Sequence, residues 1–152
     1  MTKILMVCLG NICRSPLAEG ILRHRAEQAG ANIEVDSCGT SNWHAGESPD
    51  GRTQDNARTH GVNLSSLRAR QFRVSDFDEF DLIYVMDRAN FRDVEAQART
   101  ADDMTKVDLL LNQSNPGTDM AVPDPYYGGP SGFEDVYQLV DEACAVIVDR
   151  HT

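Results

Sequence analysis

The stretch Val7-Cys8-Leu9-Gly10-Asn11-Ile12-Cys13-Arg14-Ser15-Pro16 decides the fold of this 152-residue chain. The apolar residues 4–7 are typical of a fully buried β-strand, and Pro16 is well suited to a first helical turn. A strand that turns directly into a helix leaves free backbone N–H groups that converge where the helix begins, and such a point binds anions, most often phosphate. The sequence therefore predicts an anion-binding loop between the first strand and the first helix.

A thiol and a guanidinium frame this loop, since Cys8 precedes Arg14 by six positions. Arg14 and the positive end of the helix would stabilise the thiolate of Cys8. Gly10 and Asn11 tolerate the backbone angles that a loop wrapped around an anion needs. A nucleophile held beneath a bound phosphoryl group indicates a phosphatase. A buried cysteine beside an unrelated surface arginine is the less favoured interpretation, and a nucleotide P-loop fits poorly because the Gly-Lys-Ser/Thr ending is absent.

A second motif, Val122-Pro123-Asp124-Pro125-Tyr126-Tyr127-Gly128-Gly129, lies near the other end of the sequence. Prolines on both sides of Asp124 exclude regular helix and favour an extended, exposed loop. Cleavage of a phosphoester by a thiolate needs an acid to protonate the departing oxygen, and a loop carboxyl group can supply that proton. An ordinary turn aspartate is the alternative, but Tyr126 and Tyr127 favour the catalytic interpretation because their rings could line a slot for an aryl group.

These residues together predict a cysteine-dependent phosphatase mechanism that needs no metal and no cofactor. Cys8 as a thiolate would attack phosphorus in line and form a phosphocysteine intermediate. The N–H groups of the loop and the guanidinium of Arg14 would hold the equatorial phosphoryl oxygens. Asp124 would protonate the leaving phenolate and would then activate the water that hydrolyses the intermediate.

The two motifs resemble those of the low-molecular-weight protein tyrosine phosphatase family, and the resemblance covers essentially the whole chain. The segments that match between the motifs are Val35-Asp36-Ser37, Trp43, Ala69-Arg70-Gln71, and Met86-Asp87 with Asn90. The resemblance implies the same roles for Cys8, Arg14 and Asp124. It also implies that phosphotyrosine-containing proteins are the partners and that phosphate is a product and competitive ligand.

The resemblance assigns further roles within and behind the loop. The resemblance implies that the following residues bind phosphate: Leu9, Gly10, Asn11, Ile12, Cys13, Arg14 and Ser15. Ser15 would hydrogen-bond to the thiolate, while Asn11 and Ser37 would brace the loop from behind.

One departure from the family pattern concerns this bracing network. Many relatives place a histidine near Leu67 and Arg68, and its absence puts that contact in doubt. Water or a neighbouring hydroxyl, such as that of Ser65 or Ser66, could replace it. Asp87 resembles a position that supports the active-site region structurally.

Apolar and aromatic walls bear on substrate choice, because a phenyl ring reaches a deep thiolate that a short side chain cannot reach. The predicted cleft residues are Leu9, Ile12, Trp43, Tyr126 and Tyr127. Trp43 could instead pack over a core edge, and the resemblance favours the cleft rim. Related phosphatases that prefer phosphoarginine have a similar loop with a threonine at the position of Ile12, where a hydroxyl can contact the guanidinium. The isoleucine of this chain offers only apolar contact, which suits an aryl ring. Phosphotyrosine and aryl phosphates are therefore the predicted substrates, and a protein arginine phosphatase is an alternative.

The remaining cysteines and histidines have different interpretations. Cys13 is either a small packing residue or a resolving thiol that traps an oxidised Cys8 as a disulfide, and the resemblance favours the second. Cys38 and Cys144 are predicted to pack in the core. His60 precedes a glycine and is predicted at a helix end.

Composition limits the class of protein. The length predicts one domain, residues 1–152, with its own core. The net charge of −10 argues against nucleic acid and anionic membranes as partners. Four cysteines without a framework-like spacing and no apolar targeting segment predict a cytoplasmic protein. We expect a monomer, with weak self-association as the open alternative.

Apolar runs that alternate with helical patterns predict an α/β fold, a three-layer α/β/α domain with a four-stranded parallel sheet. The predicted strands are 3–7, 33–37, 81–86 and 106–110, and the predicted helices are 16–29, 49–59 and 89–99. Gly30 should close the first helix. A last helix is predicted from the helical spacing of Phe133, Val136, Tyr137, Val140, Ala143, Cys144 and Ile147.

Three other functions compete with the phosphatase. An arsenate reductase of the same fold normally uses further cysteines to relay a disulfide, and none occurs between Cys38 and Cys144. A non-catalytic phosphotyrosine reader would not need Asp124. A thiol switch built on Cys8 and Cys13 would leave the second motif without a purpose.

Overall fold

Four parallel strands form a sheet in the order β2-β1-β3-β4. Their bounds are β1 Thr2–Cys8, β2 Ile33–Gly39, β3 Leu82–Val85 and β4 Val107–Leu109. The computed structural model describes the backbone of residues 1–125 and 129–152 and the side chains outside 126–131. Strand β1 is central, with Val7 opposite Cys38 on one side and Val85 on the other. The loop that follows β1 therefore leaves the carboxyl edge of the sheet at its middle, where ligands bind in such folds.

Six helices connect and flank the strands within the described residues. Their bounds are α1 Arg14–Ala29, α2 Gly51–Thr59, α3 Asp76–Glu79, α4 Arg88–Glu95, α5 Ala101–Met104 and α6 Gly129–Arg150, with a 3₁₀ turn at Leu110–Asn112. Gly30 closes α1 with a left-handed φ of 67°, as the sequence predicts. The predicted helix over 89–99 is shorter in the structure, since α4 ends at Glu95 and the N–H groups of Gln97 and Ala98 donate three residues back. The backbone N–H of Arg99 then donates to Asp103 Oδ2 at 2.8 Å.

The core lies in two layers, one on each face of the sheet. Successive strand residues point to opposite faces, so Ile4 and Met6 pack with α1 and α6, while Leu5 and Val7 pack with the phenylalanines around α3. Every apolar residue whose spacing predicts the last helix is buried. The three-layer α/β/α prediction is confirmed. Among the described residues, none of the helices has the length and apolar character that crossing a membrane requires.

The end of β2 supports the anion-binding loop through Gly39. Thr40 N–H donates to the Cys8 carbonyl at 2.9 Å, and Ser41 N–H donates to the Leu9 carbonyl at 3.0 Å. A Cβ at Gly39 would lie 2.6 Å from the Leu9 carbonyl oxygen and 3.1 Å from the Asn11 nitrogen. These are backbone atoms of the loop, so they could give way only if the loop moved.

We expect Gly39→Ala to lower the free energy of unfolding by about 1–3 kcal/mol, the usual cost of overpacking. It should also weaken the binding of inorganic phosphate, because the loop must shift away from the new methyl group. Urea denaturation and calorimetric phosphate titration would measure the two effects. Gly51→Ala is the matched control, since a Cβ there meets nothing within 4 Å. Equal behaviour of the two variants would show that Gly39 does not position the loop.

Candidate active site

The loop between β1 and α1 surrounds the sulfur of Cys8. Asn11 has a left-handed φ of 56°, which turns the loop back on itself. Its backbone N–H donates to Cys8 Sγ at 3.3 Å, and Ser15 Oγ lies 3.0 Å from the same sulfur. Ser15 Oγ also lies 3.2 Å from the carbonyl of Cys38. The Ser15 hydroxyl has one proton, which it can donate either to the Cys38 carbonyl or, by rotating, to the Cys8 sulfur. The site can therefore stabilise a thiolate at Cys8.

Arg14 is the buried cation of the site, with only 6% of its surface exposed. Its Nη1 donates to Asp87 Oδ2 at 2.8 Å and to the Val122 carbonyl at 3.0 Å. Burial opposes the charge, but Cys8 and Asp87 outweigh it and raise the pKa of Arg14 above its usual value. The arginine is therefore a fixed positive charge next to the thiol.

Asp87 both caps a helix and holds Arg14. Its Oδ1 accepts the backbone N–H of Asn90 at 2.8 Å, and its own N–H donates to Asn90 Oδ1 at 3.2 Å, which completes a capping box for α4. Its Oδ2 is the oxygen that meets Arg14. The predicted structural support by Asp87 thus includes an ion pair that the sequence pattern did not indicate.

The two tasks of Asp87 can be separated by substitution. Asparagine caps helices about as well as aspartate, so Asp87→Asn should keep α4 while removing the charge beside Arg14. We expect phosphate affinity and turnover to fall about tenfold, with little change in melting temperature. Asp87→Ala should show the same functional loss and a further loss of about 1 kcal/mol of stability. If Asp87→Asn left phosphate binding unchanged, the ion pair would have no functional part.

A chain of buried polar side chains braces the loop from behind. Asn11 Nδ2 donates to Ser15 Oγ at 2.7 Å and to Ser37 Oγ at 3.0 Å. Ser37 Oγ donates to Glu19 Oε1 at 2.7 Å, and Arg23 donates to Glu19 Oε2 at 2.5 Å. The three residues predicted to form this network therefore do meet, and they continue into a buried carboxylate.

Glu19 extends the network on this side, rather than one of the hydroxyls proposed from the sequence. Ser65 and Ser66 are exposed, whereas Glu19 is 3% exposed. Burial raises the pKa of Glu19 above its ordinary value, although Ser37 and Arg23 oppose the shift. The sequence signal for Glu19 was its helical spacing, since Ser15, Glu19 and Arg23 follow one another at four-residue intervals along α1.

A second anchor, which the sequence pattern did not indicate, fixes the far side of Asn11. The backbone N–H of Arg70 donates to Asn11 Oδ1 at 3.1 Å. The Arg70 guanidinium in turn pairs with Asp36 at 3.0 Å and with the buried Asp76 at 3.1 Å. Asn11 is therefore held on both sides, which fixes its left-handed conformation.

The loop forms the base of a cavity of about 480 Å³. The residues that line it are Cys8, Leu9, Gly10, Ile12, Cys13, Arg14, Trp43, His44, Glu47, Ser48, Asp50 and Asp124. The structure thus brings Cys8, Arg14 and Asp124 to one cavity although they are far apart in sequence. Trp43 is 72% exposed at its rim, so it is not packed over a core edge. Tyr126 and Tyr127 lie outside the described residues.

All four cysteines are free and buried. Burial raises the pKa of Cys13 to about 12. Burial likewise raises the pKa of Cys38 and of Cys144 above the ordinary thiol value. Both sit in the core as predicted. The redox pairing of Cys8 with Cys13 stays a prediction.

His60 lies at the C-terminal end of α2, as predicted, and stacks on Tyr137 with 3.8 Å between ring centroids. Its Nε2 lies 2.8 Å from Glu134 Oε1, so the end of α2 is tied to α6. This histidine serves the packing of two helices and does not line the cavity.

Comparison with known proteins agrees with this geometry. A family model described as low molecular weight phosphotyrosine protein phosphatase matches residues 3–150. The chain is 45% identical to the low molecular weight phosphotyrosine protein phosphatase of Schizosaccharomyces pombe, over 93% of this chain and 94% of the relative. It is similar to the crystal structure of a protein tyrosine phosphatase from Entamoeba histolytica, with a TM-score of 0.91, 32% identity and coverage of 99% and 96% of the two chains. It is also similar to a Drosophila arginine phosphatase, with a TM-score of 0.91, 32% identity and coverage of 99% and 98%.

Proposed function

The chain belongs to the low molecular weight phosphotyrosine protein phosphatase family, and we propose that Cys8 hydrolyses phosphotyrosine and aryl phosphates through a phosphocysteine intermediate. The observation that carries this proposal is the shared cavity, in which the Cys8 sulfur and Arg14 lie at the base and Asp124 lies at the mouth. Phosphoproteins are the corresponding partners.

Substrate binding follows from how Arg14 is held. One of its terminal nitrogens already donates to Asp87 and to the Val122 carbonyl. The remaining N–H groups of the guanidinium fork would then meet two equatorial phosphoryl oxygens, with the loop N–H groups completing the shell. This arrangement would hold phosphorus above the Cys8 sulfur and would lower the entropic cost of orienting the reactants.

The reaction proceeds in two displacements. In the first, the Cys8 thiolate forms an S–P bond while the bond from phosphorus to the tyrosine oxygen breaks, and Asp124 gives its proton to that oxygen. In the second, Asp124 as carboxylate takes a proton from water, the water oxygen attacks phosphorus, and the S–P bond breaks. Ser15 and the Asn11 N–H stabilise the thiolate that is released, so both steps use the same hydrogen bonds to sulfur.

Phosphoarginine is the second candidate substrate, because the Drosophila relative of the same fold is an arginine phosphatase. Ile12 lines the cavity of this chain with an apolar side chain, which suits an aryl ring better than a guanidinium. Arsenate reduction has less support, since Cys38 and Cys144 are fully buried in the core and cannot relay a disulfide from the cavity.

The proposal includes a cytoplasmic setting, which the four free cysteines support. A single domain over residues 1–152 and a monomeric state also stay part of it. Size-exclusion chromatography with light scattering would test the monomer.

The proposal is tested by phosphate release from matched peptides carrying phosphotyrosine, phosphoserine or phosphoarginine, with a chelator present. We expect phosphotyrosine to give the highest kcat/KM, by about tenfold or more. Ile12→Thr should shift the ratio towards phosphoarginine. A wild-type preference for phosphoarginine would establish the second candidate. Release from none of the three would overturn the phosphatase assignment, and thiol-dependent arsenate reduction would then be measured.

A further inference from the structure

The mouth of the cavity is acidic, although the substrate is an anion. The carboxylates that line it are Glu47, Asp50 and Asp124. Among the described residues that line it, Arg14 is the sole lysine or arginine, and Arg14 lies at the base with 6% of its surface exposed. The positive charge is therefore reserved for the phosphoryl group, and the groups around it meet negative charge.

Backbone hydrogen bonds hold the segments that carry Glu47 and Asp50. Glu47 is fixed on one side by Ala69, whose N–H donates to the Glu47 carbonyl at 2.8 Å. Asp50 is fixed by its own N–H, which donates to the Ile12 carbonyl at 2.8 Å, and its carboxylate caps α2. Burial opposes the ionisation of Asp50, but Arg52 outweighs it and lowers the pKa of Asp50. The negative mouth is thus a built part of the site.

Charge compensation differs between Asp50 and Glu47. Asp50 is offset by Arg52, which lies 3.2 Å away. Glu47 lies 2.8 Å from His44 and is the more exposed member of this pair, with 58% of its side chain exposed against 36% for His44. Glu47 therefore carries the charge that an incoming peptide meets first.

The rim also offers a surface that suits cations. Trp43 lines the same cavity and is 72% exposed, and the face of an indole ring attracts lysine and arginine side chains. The net charge of −10 repels acidic peptides before contact and attracts basic ones. Aromatic face, local carboxylates and overall field all favour the same class of peptide.

We propose that this phosphatase selects phosphotyrosine flanked by lysine or arginine and discriminates against phosphotyrosine flanked by aspartate or glutamate, with Glu47 as the main selecting residue. This inference rests on the proposed function. It concerns only the groups beside the phosphotyrosine, because the phosphoryl group itself is bound at the base of the cavity.

The test compares two phosphotyrosine peptides that differ only in having lysines or glutamates on either side of the phosphotyrosine. At low salt we expect wild type to favour the lysine peptide about tenfold in kcat/KM, falling to about twofold at 0.5 M salt because exposed charges are screened. Glu47→Lys should bring the ratio close to one or invert it. The ratio is taken within each variant, so a general change in activity cancels.

Glu95→Lys is the matched control, because Glu95 is exposed on α4 and does not line the cavity. It makes the same change in net charge and should keep the wild-type ratio. If Glu95→Lys lowered the ratio as much as Glu47→Lys, the overall field would be responsible and the mouth would not. Equal rates for the two peptides in wild type would overturn the inference. Hydrolysis of para-nitrophenyl phosphate separates the proposed phosphatase activity from the proposed selection of flanking residues. Failure to hydrolyse it would count against the phosphatase activity itself.

Discussion

Replacing Cys8 with serine should reduce phosphate release by about 10⁴-fold or more, the scale of loss seen when a covalent nucleophile is removed. A serine hydroxyl stays protonated at neutral pH, and the groups around it, the Asn11 N–H and Ser15, stabilise an anion without acting as a base. The loop and Arg14 are untouched, so inorganic phosphate should still bind. Initial rates on a phosphotyrosine peptide and calorimetric titration with phosphate would measure the two properties separately.

Cys144→Ala provides the control for Cys8→Ser, because Cys144 is a fully buried thiol of the core that does not line the cavity. It should cost some stability but keep the turnover number of the folded protein. A Cys8→Ser variant that retained about a hundredth of the wild-type rate would show that another group attacks phosphorus, since losses of a true nucleophile are far larger.

Removal of the general acid, the Asp124 carboxyl group, should give the second largest loss of activity. The size of this loss should depend on the leaving group of the substrate. Asp124→Ala should lower kcat for a phosphotyrosine peptide about 10²–10⁴-fold, the usual contribution of general acid–base catalysis. The loss should be smaller for para-nitrophenyl phosphate, because its leaving group departs without a proton. Steady-state kcat for both substrates, with a burst measurement for phosphocysteine formation, would test this.

Asp119→Asn is a suitable control for Asp124→Ala. Asp119 is a nearby exposed aspartate with a positive φ of 54°, a conformation that asparagine tolerates, and it does not line the cavity. Replacing Asp119 should leave kcat unchanged for both the phosphotyrosine peptide and para-nitrophenyl phosphate. Equal losses on the two substrates in Asp124→Ala would indicate that the residue shapes the loop and does not transfer a proton.

Local chemistry explains why the centre of the fold and of the site could be predicted from the sequence. The apolar residues of β1, the conformational freedom of Asn11 and the proline at the start of α1 each act within a few residues of one another. The prolines around Asp124 act in the same way. Such features appear in the sequence because their physical causes are themselves local.

The parts that could not be predicted depend on partners distant in sequence. Asp87 meets Arg14 across 73 positions, and Ser37 meets Glu19 across 18. A glutamate on a helix is ordinarily placed in solvent. Arg23 lies one helical turn from Glu19, but only the tertiary structure supplies the Ser37 hydroxyl that completes the partners of the buried carboxylate. The helices α3 and α5 have four residues each, which is too short for a periodic pattern.

Raised pKa values at three of the four buried thiols should make the protein behave chemically as though it had one cysteine. Burial raises the pKa of Cys13, Cys38 and Cys144, so at neutral pH each stays a protonated thiol, which reacts slowly with alkylating reagents. Iodoacetate, itself an anion that the loop attracts, should therefore add a single carboxymethyl group per chain, at Cys8, and phosphate should slow the addition. The mass of the labelled protein would then count functional active sites in any preparation without an engineered tag.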